Sequence, residues 1–306
     1  MKYLKVFDDK SALDSSVTSF NHGDGAFVFG VKTTQGIEDV TIYDQRHPGA
    51  NCPEVYNAYP VNMSPVKLDA SSTKKTPAVA DILYSTSDGK LTLDVQTNGY
   101  VNIPIAICVI PEVTENFKNG DNSTGAVKTA RFVSINYMNY TTPITGNKNI
   151  QKMIFGNKDT TIGNVKGGTD SSSYIGGKWN TQKCLHACTK ENKDLTNGVT
   201  NNQGTGYCAP ACCCVAYSTP GTKPGDWYLP MPGELYQIYA NKTAINEKRA
   251  TLVDTHTSFS ERSNYWSSRE FSSDSECLVY LSTGGVSNHG KYYDDPVVLA
   301  FLALEY

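Results

Sequence analysis

The run VVLAFLAL, Val297 to Leu304, is apolar at every position. A strand with one wetted face alternates apolar and polar side chains, because successive Cβ atoms point to opposite faces. This run does not alternate, so it reads as a central strand covered on both sides. The segment SECLVYLS (Ser275–Ser282) has a period of two. Cys277, Val279 and Leu281 fall on one face, and Glu276, Leu278 and Tyr280 on the other. Ser282-Thr283-Gly284-Gly285 fits a hairpin turn. Between the turn and the last strand lies SNHGKYYDDP (Ser287–Pro296), which has no apolar alternation and carries Asn288, His289, Tyr292, Tyr293, Asp294 and Asp295.

Further upstream, three segments read as helices. NTQKCLHACTK places Cys184, Leu185 and Cys188 at helical spacing, and APACCCVAY (Ala209–Tyr217) is apolar with Pro210 near its start. MPGELYQIYANKTAINEK sets Leu235, Ile238 and Tyr239 on one face. Strand patterns fill the stretch from Ile82, through ILYS, KLTLDVQ and IPIAICVIP, to AVKTARFVSINYM. Residues 140–180 are rich in Gly, Thr, Ser and Asn and read as a long loop region. In the first seventy residues, AFVFGV (Ala26–Val31) and VTIY (Val40–Tyr43) are strand candidates. DASSTKKTPA (Asp69–Ala78) is small, polar and unpatterned, and is taken as a domain boundary. The fold class expected is α+β, with a small β-rich N-terminal domain over residues 1–78 followed by a larger domain over 79–306.

Bulk properties narrow the function. Charged residues make up 19% and aromatics 10% of 306 residues, with 25 Gly, which argues against a disordered chain. A net charge of −3 without a basic block argues against nucleic-acid binding. No apolar run reaches the ~18 residues of a membrane span, and the N-terminus lacks a secretory apolar core. The expectation is therefore synthesis in a cytoplasm with no membrane insertion.

There are nine Cys, an odd number, six of them between Cys184 and Cys214. A cytoplasmic origin disfavours a disulfide framework. Three adjacent Cys on a helix point in three directions and cannot share one zinc ion, so helix packing is the simpler reading and no metal or cofactor is assigned. Five scattered His form no recognisable triad context with Ser or Cys, and the glycines of VKGGTDSSSYIGGKW lack a phosphate-loop Lys. No catalytic residue is assigned. Trp227 and Trp266 read as core pegs.

The segments ACCCVAYSTPGTKPGDWYLPMPGELYQIY (Ala211–Tyr239), YWSSREFSS (Tyr265–Ser273), GGVSNHGKYY (Gly284–Tyr293) and LAFLAL (Leu299–Leu304) together resemble a family of C-type-lectin-fold proteins of gut bacteria and their phages. Its members carry W-Y-L-P…G-E-L and Y-W-S-S-x-E segments. Many are the variable proteins of diversity-generating retroelements, whose adenine-containing codons near the 3′ end are rewritten by mutagenic reverse transcription. IPIAICVIPE and VKTARFVSINYM are similar to the family's early strands, so the resemblance covers about residues 80–306. The opening MKYLKVFDD is similar to the starts of tailed-phage structural proteins. Two places depart from the pattern: Leu299 stands where an Arg is usual, and Glu276, Cys277 and Leu278 stand at aromatic positions. Calcium-binding lectin loops are not intact. Formylglycine-generating relatives use a pair of cysteines, but Cys277 is the sole Cys after residue 214.

The resemblance implies a C-type-lectin-like ligand-binding domain whose variable region covers about residues 265–300. Phe271, Asp274, Glu276, Leu278, Tyr280, Asn288, His289, Tyr292, Tyr293, Asp294 and Asp295 mix rigid aromatics with adaptable polar groups, as a paratope does, and are the expected ligand-binding residues. Leu278 is expected on an exposed face. The implied protein is a non-enzymatic phage-tail receptor-binding protein located in the virion. Its partners would be a host cell-surface protein or glycan, other virion proteins through the N-terminal domain, and two further copies in a homotrimer. Two alternatives stand beside it: a cysteine-dependent metal or oxidase enzyme using the Cys184–Cys214 cluster, and a bacterial surface adhesin.

Overall fold

The computed structural model describes residues 61–138, 155, 162, 174–190, 208–252, 259, 264–291 and 296–306, and the backbone of three earlier strands. Those strands, β1 (Val6–Phe7), β2 (Ala26–Thr33) and β3 (Gly36–Tyr43), form a small sheet. β2 and β3 make an antiparallel hairpin that contains both expected N-terminal strands, and β1 runs parallel to β2. Helices and sheets mix along the rest of the chain, giving an α+β fold.

The remaining strands are β4 (Val66–Lys67), β5 (Ile82–Ser85), β6 (Leu91–Thr92), β7 (Gln96–Thr97), β8 (Tyr100–Val101), β9 (Ile103–Glu115), β10 (Val127–Tyr137), β11 (Trp227–Tyr228), β12 (Asn264–Glu270), β13 (Ser275–Tyr280), β14 (Gly285–Gly290) and β15 (Leu299–Glu305). The helices are α1 (Gly177–Lys190), α2 (Ala209–Ala216), α3 (Pro232–Ala240) and α4 (Lys242–Ala250). The large sheet runs β11-β15-β10-β9-β5-β6, with β4 also on β15. β15 is thus central. β10 pairs antiparallel along one edge, and β11 and β4 share the other.

Two cores explain why the last strand is apolar throughout. Ala300, Leu302 and Leu304 pack with Cys184, Leu185, the α2 side chains and Trp227 on one face of the sheet. Leu299, Phe301 and Ala303 pack with Leu235 and Ile238 of α3 and Ile245 of α4 on the other. Every second side chain therefore meets a different helical layer. The segment expected as one helix from Pro232 onward is two, because Asn241, at φ −113°, ends α3 and begins α4. Trp227 and Trp266 are both fully buried pegs.

The boundary expected at residue 78 cuts through one bonded unit. Asn62 N–H donates to the Gly225 carbonyl, β4 pairs with β15, and Asp94 accepts from the N–H groups of Thr73 and Lys74. The small polar side chains that read as a linker are the ones that make these bonds. Thr73 gives its hydroxyl to Asp94, and Ser72 accepts from Thr92.

Candidate binding face

β12, β13 and β14 form a three-stranded antiparallel meander. It is tied to the start of the last strand by Trp266 N–H donating to the Val297 carbonyl and Val297 N–H donating to that of Asn264. The turn between β13 and β14 is closed by Thr283 and Gly284 N–H groups on the Tyr280 carbonyl. Gly284 has φ +75°, and a Cβ there would lie 2.4 Å from the Tyr239 ring, so both backbone and space call for glycine.

The meander is buried where it meets the helices and half-buried along β14, where Asn288 alone is exposed. Leu278 is 0% exposed and packs with Trp266 and the cysteines of α1 and α2, while Val279, one residue on, joins Tyr265 in the other core. Alternation had placed Leu278 on an open face. The strand is instead covered on both sides, and that placement is corrected. Glu276 is likewise 0% exposed, so neither residue presents a side chain to a ligand. Of the other expected residues, three are open to solvent and two are partly covered. Phe271 is 57% exposed, Asp274 and Asn288 are exposed, and Tyr280 and His289 are half-buried. Phe271 and Asp274 belong to the β12–β13 turn, which Lys291 N–H fastens by donating to the Asp274 carbonyl. Tyr292, Tyr293, Asp294 and Asp295 lie outside the described residues.

Charged groups missed in the sequence hold this face from beneath. Lys291 is buried, and its Nζ donates to Glu270 Oε1 at 2.6 Å and lies 4.0 Å from Glu276 Oε2. Burial drives the Glu276 carboxyl well above its usual proton affinity, and Lys291 opposes this only in part. A second buried network lies under β11 and α3. Arg131 pairs with Glu115 and, through Nε, with Glu234 Oε1 at 3.1 Å; the Tyr228 hydroxyl donates to the same oxygen at 2.5 Å. Glu234 Oε2 also accepts the Met231 N–H, capping α3. Burial lifts Glu234 to about 7 and lowers Lys178 to about 7. Lys178 donates to the carbonyls of Asn62 and Ser64, both at 2.8 Å. Gly177 makes room for this cluster, since a Cβ would lie 2.5 Å from the Tyr228 ring. The available signal was a charged residue inside an apolar strand run, as with Arg131 in TARFVSI.

The cysteines of the expected cluster whose side chains are described do pack. Cys184, Cys208, Cys212, Cys213 and Cys214 are buried free thiols, and among the described residues no three metal-ligating side chains converge. A groove of about 430 Å³, also unforeseen, lies between Val66–Asp69, the β5–β6 turn and the loop at Gly221–Asp226. Tyr100, Val101, Val95 and Ile103 are exposed apolar side chains around the β7–β8 hairpin. No helix among the described residues is long and apolar enough to cross a membrane. No protein-family model matches the chain, and neither does any curated protein.

Proposed function

We propose that the chain is a non-enzymatic receptor-binding protein of a phage tail, with a C-type-lectin-like domain that presents the β12–β14 rim to a host cell-surface protein or glycan. The carrying observation is that Phe271, Asp274 and Asn288 reach the surface, with Tyr280 and His289 half-buried, from strands whose inward residues are locked in two cores. A rim held this way tolerates side-chain change without losing the fold, which is what a diversified surface requires. The lectin-like reading is supported by the packing of the segments that carry the resemblance. β11 pairs with β15, and β12 bridges to Val297 just before it.

Each site would bind weakly, and several copies would raise avidity. Copies assemble as trimers in this reading, with the exposed apolar side chains near the β7–β8 hairpin as surface for that contact. The first residues attach the protein to other virion components. Beads coated with the whole chain test the proposal on a panel of gut bacterial isolates. Saturable attachment to particular isolates, competed by free chain, supports it. Attachment to none, or to all alike, refutes it.

A further inference from the structure

Lys178, near the start of α1, is 1% exposed, and its Nζ donates to the carbonyl oxygens of Asn62 and Ser64, both at 2.8 Å. Both partners are neutral. A neutral amine has two N–H groups and a lone pair, so both N–H groups are used here and the lone pair is left. The Asn62 side chain is held at both ends. Nδ2 donates to Asp226 Oδ1 at 2.9 Å, and Oδ1 accepts the Ser64 N–H at 3.1 Å. Asn62 N–H donates to the Gly225 carbonyl, and Asp226 Oδ2 accepts the Lys223 N–H, so carboxamide and carboxylate are fixed to the same loop. Asp226 is 3% exposed. The ring centroids of Phe117 and Tyr228 lie 5.4 and 6.0 Å from Nζ and help to bury it. Arg131 and Glu115 are the other charged groups acting on Lys178. An amine, a carboxamide and a carboxylate thus meet where the chain leads from Asn62 into β4.

We propose that Lys178 and Asn62 join in an intramolecular isopeptide bond, with Asp226 carrying the proton. The Nζ lone pair attacks Asn62 Cγ, and a new C–N bond forms. One Nζ proton passes to the Asp226 carboxylate, while the Ser64 N–H stabilises the charge that develops on Oδ1. The Cγ–Nδ2 bond then breaks, Asp226 gives the proton to Nδ2, and that nitrogen leaves as ammonia. Amine and carboxamide become a secondary amide and NH3; nothing is oxidised or reduced, and no co-reactant enters. Cγ belongs to the residue whose carbonyl Nζ already touches, so the fold itself supplies the proximity. Asn62, Lys223 and Asp226 also line the groove of about 430 Å³, which gives the ammonia a path to solvent. Burial lowers Lys178 to about 7, so above that pH the folded chain holds the attacking neutral form. Until the bond forms, Lys178 is a free, titratable amine. The bond would close residues 62–178 into a ring and tie α1 to the segment that leads into β4. This inference is independent of the ligand-binding reading.

The test incubates the whole purified chain from about pH 6 to about pH 9, follows its intact mass and maps the proteolytic peptides by mass spectrometry. Expected are a mass lower by one ammonia, a branched peptide joining Asn62 to Lys178, and a rate that rises as pH passes through about 7. Full mass with both side chains free after days at the higher pH overturns the proposal. So does ammonia loss without the branched peptide, as ring closure at Asn98-Gly99 would give, or a branch at another lysine. These outcomes are read on the wild-type chain and need no variant to fold. Asp226→Asn is expected to slow formation by at least about tenfold, and an equal rate in the folded variant overturns the role of Asp226. Should that variant not fold, Asp226→Glu, with its carboxylate displaced by a methylene, is read in the same way.

Discussion

Lys291, within the polar stretch Ser287–Pro296, reaches back under the meander to Glu270, with Nζ 2.6 Å from Oε1 and both side chains almost wholly out of solvent. Glu270 also accepts the Ile162 N–H, so one carboxylate fixes the end of β12 against two other parts of the chain. Removing one partner of such a pair leaves a buried charge uncompensated. Lys291→Met is expected to destabilise the chain by about 3–5 kcal/mol in urea unfolding. Lys67→Ala, which breaks the exposed pair with Glu305, is expected to change it by less than about 1 kcal/mol. Equal effects would remove the anchoring role given to Lys291.

The two faces of β13 and β14 differ in what they tolerate. Leu278→Ala empties a site walled by Trp266 and the α2 cysteines and should cost about 2–5 kcal/mol. Asn288→Ala, at the exposed position of β14, should stay within about 0.5 kcal/mol. Denaturant midpoints of the two variants check this. A neutral Leu278→Ala would return that residue to the exposed set.

Lys178 gives the pH dependence a sign. Burial lowers its folded-state value to about 7, whereas the unfolded side chain titrates near 10.5. Between these values the unfolded chain holds more protons, so this group's contribution to stability is lost as pH falls toward 7 and recovered as pH rises. Lys178→Met removes that dependence along with two hydrogen bonds. The stability difference between wild type and variant should therefore widen from pH 7 to about pH 9.5. A constant gap across that range would mean that Lys178 stays charged in the fold.

The hairpin bearing Tyr100 and Val101 carries the prediction on assembly. Tyr100→Ser combined with Val101→Ser replaces two of the most exposed apolar side chains, at 70% and 71%, on the two-residue strand β8, remote in sequence from the meander. Sedimentation of the variant is expected to shift toward monomer while its melting temperature is unchanged. An unaltered distribution would contradict the proposed contact between copies at this hairpin.

Much of the frame was legible because it rests on periodicity. The unbroken apolar run at Val297–Leu304 could only be a doubly covered strand, and β15 is one. Helices with apolar faces, such as the one around Leu235 and Ile238, were legible for the same reason. Leu278 and Glu276 were misplaced because period two says which residues share a face, not which face is covered. The second cover over β13 comes from α1 and α2, whose docking no local pattern encodes. The ties from residues 61–75 to β15, Leu91 and Asp94 were hidden for a related reason, since short polar side chains look alike in a linker and in a bonded turn. Charge pairs such as Arg131 with Glu234 join residues too far apart in sequence for spacing to connect.

The most direct test of the binding face pairs attachment with stability in one double variant. Phe271→Ala with Asn288→Ala strips an exposed aromatic and an adaptable amide from the rim and leaves both cores intact. Beads carrying this chain should need at least about tenfold more material to half-saturate an isolate that wild type binds, because aromatic anchors carry most of a paratope's affinity. Its melting temperature should match wild type. Undiminished attachment by a folded double variant would contradict the assignment of the β12–β14 rim as the receptor-binding surface.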